Sequence, residues 1–238
     1  GLAHFLEHML FLGTKKYPEV GEYTKYLNTH QGYSNAYTAS ERTNYFFEVN
    51  KDAYEGALDR FAQFFIGPLF TPKFVDREMN AVNSEHQKNL QNDNWRLYRI
   101  MGTLSKTSHP RQIFSTGSRD TLKNTDQKTM IEFYNKYYSA NQMKLVMMSA
   151  TPIDQMEKWA RNIFSEIKNH KSPKIKHPSE IYNPKDLPRL IKVKPVKDLR
   201  QLKLSFVAPT EDPYWQSKPT TLISTLIGHE GEGSLLSL

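Results

Sequence analysis

The sequence contains no cysteine, which excludes both a disulfide framework and a thiolate metal site. Any metal ligand in this chain must therefore be histidine, aspartate or glutamate. The sequence also lacks an apolar run near the ~20 residues that a membrane-spanning helix needs, so we expect no membrane span. Its 38% hydrophobic and 24% charged residues are typical of a globular chain rather than a disordered one.

The chain length of 238 residues fits one large domain or two modest ones. No initiator methionine is present, Gly1 enters a helical pattern almost at once, and Leu238 lies in an apolar run that has only begun. We therefore expect the sequence to be a fragment of a longer protein.

The net charge of +7 could indicate nucleic-acid binding, but its distribution argues against this function. Residues 168–200 carry ten basic and three acidic side chains, so the whole excess lies in one stretch. Prolines interrupt this stretch, as in a solvated linker, and no nucleic-acid-binding signature accompanies the charge. We expect no nucleic-acid partner.

The residues with the clearest chemistry are His4, Glu7 and His8, in the pattern His-x-x-Glu-His. Side chains three and four positions apart share one face of a helix, so these three can converge. Two imidazoles can bind zinc, and a carboxylate beside them can take a proton from metal-bound water. This order inverts the commoner His-Glu-x-x-His motif and predicts a zinc peptidase site.

A purely structural interpretation of the same helix is also open. His4 and His8 could lie on its polar face while the apolar residues around them pack inward, with no metal involved. A short motif alone does not separate these two interpretations.

A second helical segment supplies candidate partners for the motif. Glu78 and Glu85 are seven positions apart, two turns along one helical face, within a helix expected from Phe74 to about Leu104 with a bend near residues 92–94. A catalytic zinc usually takes its third protein ligand from a separate element, so Glu85 suits that role. Glu78 would orient a ligand imidazole. His86 points about 100 degrees away and is the weaker candidate.

Two runs rich in β-formers, residues 34–39 and 43–49, predict a hairpin after a short helix over residues 22–31. If the first is an edge strand beside the zinc helix, its free backbone groups could pair with an extended peptide. An ordinary paired strand is the alternative.

The remaining pattern alternates β-rich runs with helices, which predicts an α+β fold with helices packed on a mainly antiparallel sheet. Residues 143–149 are expected to form a buried strand, and residues 190–194 and 202–206 two more. Helices are expected over residues 52–65, around Met130 to Tyr137, from Thr151 onward and over residues 214–227. The glycine-rich residues 228–234 lack the Lys-Ser/Thr ending of a phosphate loop, so they form either a structural turn or a substrate-facing loop.

With these residues in place, the sequence resembles the inverzincin zinc peptidases of family M16. The resemblance covers effectively the whole chain. The matching segments are His4 to Pro18, Ser34 to Ala36, Asp76 to Glu78, Asn80 to Val82, Ser84 to His86, Tyr137 to Ser139 and Leu226 to Gly231.

The resemblance implies specific roles for these positions. It assigns one zinc ion to His4, His8 and Glu85, the general base to Glu7 and a supporting carboxylate to Glu78. It implies that Asn35 and Ala36 hold the substrate backbone by strand addition. A loop that anchors the substrate would comprise His229, Glu230, Gly231, Glu232, Gly233, Ser234 and Leu235.

The implied function is a zinc endopeptidase that cuts short to medium peptides, such as insulin-like hormones and amyloid-type peptides. The alternative is a peptide-binding fragment or an M16 subunit that does not cut. The implied partners are peptide substrates, a C-terminal half that supplies an arginine and a tyrosine, and in some assemblies a second copy in a homodimer. The implied location is the cytoplasm, with the peroxisome or secretion as alternatives.

The implied domain organisation is a catalytic M16 domain over residues 1–182, lacking one or more N-terminal strands. Residues 183–238 would begin a second, similar domain.

Overall fold

The computed structural model describes residues 1–237, and of Asp212 it describes the backbone only. Leu238, at the end of the predicted second domain, lies outside the described residues. The chain divides into two compact units, Gly1–Lys197 and Asp198–Leu238. The predicted boundary after residue 182 stays a prediction.

The first unit is built around helix α1, Leu2–Leu10. Four of its apolar side chains, Phe5, Leu6, Met9 and Leu10, are completely buried. These positions recur at the helical period, so one face of α1 enters the core. His4 and His8 lie on another side of the helix and are only partly buried.

Helix α2 spans Glu22–Thr29, and a β-hairpin of β1, Tyr33–Thr38, and β2, Thr43–Glu48, follows it. The strands are antiparallel and pair Tyr33 with Glu48 and Thr38 with Thr43. Burial alternates along both strands, because successive side chains point to opposite faces of a sheet. The predicted hairpin is confirmed.

Helix α3 spans Tyr54–Ile66, α4 spans Pro72–Leu90 and α5 spans Asp93–Thr103. Pro72 occupies the first turn of α4, where its missing N–H costs no hydrogen bond. The helix predicted from Phe74 to about Leu104 is interrupted after Leu90, close to the predicted bend at residues 92–94. The Asn92 side chain accepts hydrogen bonds from the backbone N–H groups of Asn94 and Trp95, which starts a new helix there.

Three further helices complete the first unit: α6, Arg119–Leu122; α7, Gln127–Tyr137; and α8, Ile153–Phe164. One hydrophobic core joins α1, α2, α3, α4 and α7. Its buried residues are Phe5, Leu6, Met9, Leu10, Tyr23, Leu27, Ala57, Phe61, Phe64, Phe70, Met79, Val82, Leu122, Met130 and Tyr134.

The predicted strands at residues 143–149 and 190–194 are wrong for this structure. Residues 143–149 have no assigned strand, and Val146 and Met148 are 89% and 91% exposed. Residues 190–194 likewise form no strand, and Leu190 is exposed. A strand needs a hydrogen-bonded neighbour, and the described residues provide none at either place.

The second unit contains helix α9, Pro219–Ile227, which is shorter than the predicted helix over residues 214–227. Pro219 disfavours the helical conformation in the residue before it, and Lys218 has a φ of 45°. The predicted strand at residues 202–206 is also wrong, since this segment has no strand assignment and Phe206 is exposed.

The α+β fold class is confirmed by the helices of the first unit together with the antiparallel hairpin. Among the described residues, no helix combines the length and the apolar character needed to cross a membrane.

Candidate metal site

The residues that the motif predicts do converge, because α1 packs against α4. Glu85 Oε2 lies 3.5 Å from His4 Nε2 and 3.7 Å from His8 Nε2. One ligand atom from each of the three residues lies within 4.8 Å of the others. Helical spacing aligns the two imidazoles, and the contact between the helices adds the carboxylate.

These distances fit zinc. Two atoms that each lie about 2.0–2.1 Å from a tetrahedral zinc ion are themselves about 3.4 Å apart. The contacts of Glu85 with His4 and His8 are close to that separation. Two neutral imidazoles and one carboxylate are also a ligand set found in catalytic zinc sites, where a fourth position stays open.

The outer nitrogen of each imidazole faces an oxygen atom of its own. His4 Nδ1 lies 2.7 Å from the backbone oxygen of Thr116, and His8 Nδ1 lies 3.5 Å from Glu78 Oε2. If each Nδ1 carries the proton, each Nε2 presents its lone pair toward Glu85. The geometry therefore supports the orienting role predicted for Glu78 and adds Thr116, which the sequence did not indicate.

The Thr116 oxygen is held in place by a close contact between two backbone segments. The backbone nitrogen of Gly1 donates a hydrogen bond to the oxygen of Phe114 at 3.1 Å. Gly117 has a φ of 88°, and a Cβ there would lie 3.1 Å from the Cα of Gly1. Glycine is needed at this position because other residues rarely adopt that backbone conformation.

Glu7 is buried, with 6% of its surface exposed, and its Oε2 accepts a hydrogen bond from the Thr38 hydroxyl. Burial raises the pKa of Glu7, because removing a carboxylate from water disfavours its charged form. The Thr38 hydrogen bond and the nearby imidazoles of His4 and His8 act in the opposite direction. The carboxyl group is thus held beside the metal ligands in a partly desolvated place.

The charged side chains of the site shift one another's pKa values. Interaction with Glu78 first, and then with Glu85, raises the pKa of His8 to about 9. The same contacts with His8 lower the pKa of Glu78 and of Glu85. The two carboxylates therefore favour positive charge beside them, which is the electrostatic environment that a metal cation needs.

The predicted substrate strand lies next to this site, since β1 packs against α1. Ala39 N–H donates to the Arg42 oxygen, which makes these opposed residues a hydrogen-bonded pair. Hydrogen-bonded and non-hydrogen-bonded pairs alternate along an antiparallel ladder. Ala36 is three positions before Ala39 and therefore belongs to a non-hydrogen-bonded pair. Its N–H and C=O consequently point away from β2. The side-chain oxygen of Asn35 accepts a hydrogen bond from the Ala36 N–H at 2.8 Å.

The other predicted residues lie elsewhere. His86 is outside the ligand cluster, and its ring contacts Phe114 at a centroid distance of 4.9 Å. The glycine-rich loop, residues 229–235, belongs to the second unit, where Gly231 N–H donates to His229 Nδ1 and Ser234 is buried. Its substrate-binding role stays a prediction.

The fold and the residue cluster define an α+β domain with an inverted metallopeptidase motif. Residues 1–108 match the family model described as Insulinase (Peptidase family M16), and residues 125–237 match the one described as Peptidase M16 inactive domain. The chain belongs to peptidase family M16, as its motifs predict.

Individual relatives agree with this assignment. A candidate zinc protease of Schizosaccharomyces pombe is 49% identical to this chain, and the match covers 100% of the chain and 25% of the relative. Human insulin-degrading enzyme is 43% identical, over 100% of the chain and 24% of the relative. The crystal structure of pitrilysin is similar with a TM-score of 0.72 and 37% identity, over 77% of this chain and 20% of that one. The chain therefore spans about a quarter of the length of the curated relatives.

Proposed function

We propose that this chain forms the zinc-binding part of an M16 endopeptidase that hydrolyses short to medium peptides. The observation that carries the proposal is the approach of His4 Nε2 and His8 Nε2 to one oxygen of Glu85. Because the relatives are about four times longer, we also propose that the chain is part of a longer protein, called the full-length protein below. Its remaining domains would supply further substrate-binding groups.

His4, His8 and Glu85 would hold the zinc ion, with Glu78 and the Thr116 oxygen orienting the imidazoles. When bound, zinc lowers the pKa of a coordinated water to about 7 and polarises a carbonyl group. Glu7 accepts the proton from the attacking water and delivers it to the leaving amine. Burial of Glu7 favours this role, because a raised pKa makes its carboxylate a better proton acceptor.

The substrate would lie as an extended strand against β1. The outward N–H and C=O of Ala36 would hydrogen-bond with the peptide backbone, and Asn35 would give up its contact with the Ala36 N–H. Backbone pairing selects extended peptides with little regard to their side chains. Substrates such as insulin-like hormones or amyloid-type peptides agree with such a preference.

The loop over residues 229–235 is proposed to bind another part of the substrate. A homodimer and a cytoplasmic location also remain proposals.

The test uses the full-length protein and its Glu7→Gln variant. We expect each to bind one zinc per chain, and we expect only the unsubstituted protein to cleave an insulin-sized peptide in a chelator-sensitive manner. Equal cleavage by Glu7→Gln would exclude the proposed base. If both proteins bind extended peptides and neither cleaves them, the alternative of a non-catalytic peptide-binding subunit is correct.

A further inference from the structure

Thr38 is the residue that connects the predicted substrate strand to the predicted general base. It is the last residue of β1, and its hydroxyl donates a hydrogen bond to Glu7 Oε2. The two residues are 31 positions apart, so the contact depends on the packing of β1 against α1.

The direction of this hydrogen bond follows from the number of protons available. An ionised carboxylate only accepts, so the single hydroxyl proton of Thr38 is directed to Glu7. Thr43, opposite Thr38 in the hairpin, has its hydroxyl oxygen 3.3 Å from that of Thr38. In a hydrogen bond between the two hydroxyls, Thr43 is then the donor and the Thr38 oxygen the acceptor, because the Thr38 proton is already directed to Glu7.

The contact leaves the two oxygens of Glu7 in different environments. Oε2 is held by Thr38, whereas Oε1 makes no hydrogen bond to any described residue. A hydrogen bond to one oxygen restricts rotation of the carboxylate and keeps the other oxygen available to accept a proton. A side chain that must meet a water molecule in one orientation benefits from such restriction.

Thr38 also lies on the same strand as Ala36, the residue proposed to pair with the substrate backbone. Thr38 and Ala36 are two positions apart on β1, so their side chains lie on the same face of the hairpin. The backbone groups of Ala36 point to the free edge of that strand, where the peptide is proposed to pair. A shift of β1 would therefore displace both the peptide and the hydroxyl that holds Glu7.

We propose that Thr38 is a positioning residue: its hydroxyl fixes the Glu7 carboxylate and sets it in register with a peptide bound along β1. The proposal rests on the proposed function, since it assumes that Glu7 is the base. Thr38 acts through Glu7: within the described part of the chain, its hydroxyl has hydrogen-bond partners in Glu7 and Thr43 and none among His4, His8 and Glu85.

The test compares Thr38→Val, Thr38→Ser and Thr43→Val in the full-length protein. Valine retains the branched shape and removes the hydroxyl, and serine restores the hydroxyl. We expect Thr38→Val to lower kcat about 10–100-fold, as for other outer-shell contacts, with KM and zinc content nearly unchanged. Thr38→Ser should recover most of kcat, and Thr43→Val should lower it less than Thr38→Val, because it leaves the Thr38 donor in place.

A structural measurement gives an answer that does not depend on turnover. In crystals of the Thr38→Val protein, we expect the Glu7 carboxylate to leave the orientation that it has in the unsubstituted protein, with zinc ligands unmoved. An unchanged Glu7 orientation would overturn the proposal. So would a wild-type kcat in Thr38→Val, or a Thr38→Ser variant as slow as Thr38→Val.

The outcome for Glu7→Gln separates this inference from the proposed function. If Glu7→Gln is inactive and Thr38→Val is fully active, only the role of Thr38 is wrong. If Glu7→Gln is as active as the unsubstituted protein, the proposed function itself is wrong.

Discussion

His4 Nε2 and Glu85 Oε2 lie 3.5 Å apart although the residues are on different helices. Their approach depends on the packing of α1 on α4, where Met79 and Val82 of α4 are buried in the same core as the apolar face of α1. The candidate metal site is therefore a consequence of core packing as much as of the motif.

Glu85→Gln should weaken zinc binding more than Glu78→Gln. Glu85 faces both Nε2 atoms, whereas Glu78 contacts the outer nitrogen of His8. Loss of an outer contact typically costs about 10–100-fold in metal affinity, and loss of a ligand should exceed that. Competition with a chelator measures both affinities. Glu132→Gln, an exposed change on α7, should leave zinc affinity unchanged, and equal losses for Glu78→Gln and Glu85→Gln would contradict the assignment.

Zinc affinity should rise with pH across the neutral range. The pKa of His8 in the metal-free site is raised to about 9, so at pH 7 zinc must displace a proton from this imidazole. Below that pKa the apparent affinity should increase about tenfold per pH unit, since one proton is released. Calorimetry in buffers of different ionisation enthalpy counts that proton. A release of no protons between pH 6 and pH 8 would show that His8 is neutral before zinc binds.

Gly117→Ala should destabilise the protein and also weaken zinc binding. An alanine at φ 88° costs about 1–2 kcal/mol, and its Cβ would press on Gly1 and displace the neighbouring Thr116 oxygen from His4. Gly21→Ala is a matched control, because Gly21 has a φ of 86° and a Cβ there would meet no atom within 4 Å. The Gly21→Ala variant should lose stability through the backbone strain, and its zinc affinity should be unchanged. Denaturant unfolding and zinc titration of both variants provide the comparison.

Asp59→Asn should lower stability by about 1 kcal/mol, because it removes a charged acceptor shared by Lys16 and Tyr17. Burial alone would raise the pKa of Asp59, but the hydrogen bonds from Lys16 and Tyr17 outweigh it and the pKa is lowered. The carboxylate therefore stabilises the fold above the pKa of the unfolded chain, about 3.9, and this contribution is lost as pH falls through the lower folded-state pKa.

The control for Asp59→Asn is Glu166→Gln. Glu166 is exposed, follows α8 and forms no ion pair with the described residues. The difference in the free energy of unfolding between Asp59→Asn and the unsubstituted protein should be larger at pH 7 than at pH 3. If the difference is the same at both pH values, ionisation of Asp59 does not contribute to stability.

Local sequence determined the parts of this protein that depend on helical spacing. His4, Glu7 and His8 share a helix because their spacing and the buried apolar positions of α1 follow the same period. The spacing of Glu78 and Glu85 similarly predicts that both carboxylates lie on one face of α4.

Tertiary structure decided the contacts that carry no local signal. A backbone oxygen such as that of Thr116 is present in every residue, so nothing in the sequence marks it as a partner of His4. The Thr38 hydroxyl is likewise one of many, and only the packing of β1 on α1 brings it to Glu7. Residues 143–149 have the composition of a strand, yet they form none here, because a strand is completed by a neighbour that its own sequence does not specify.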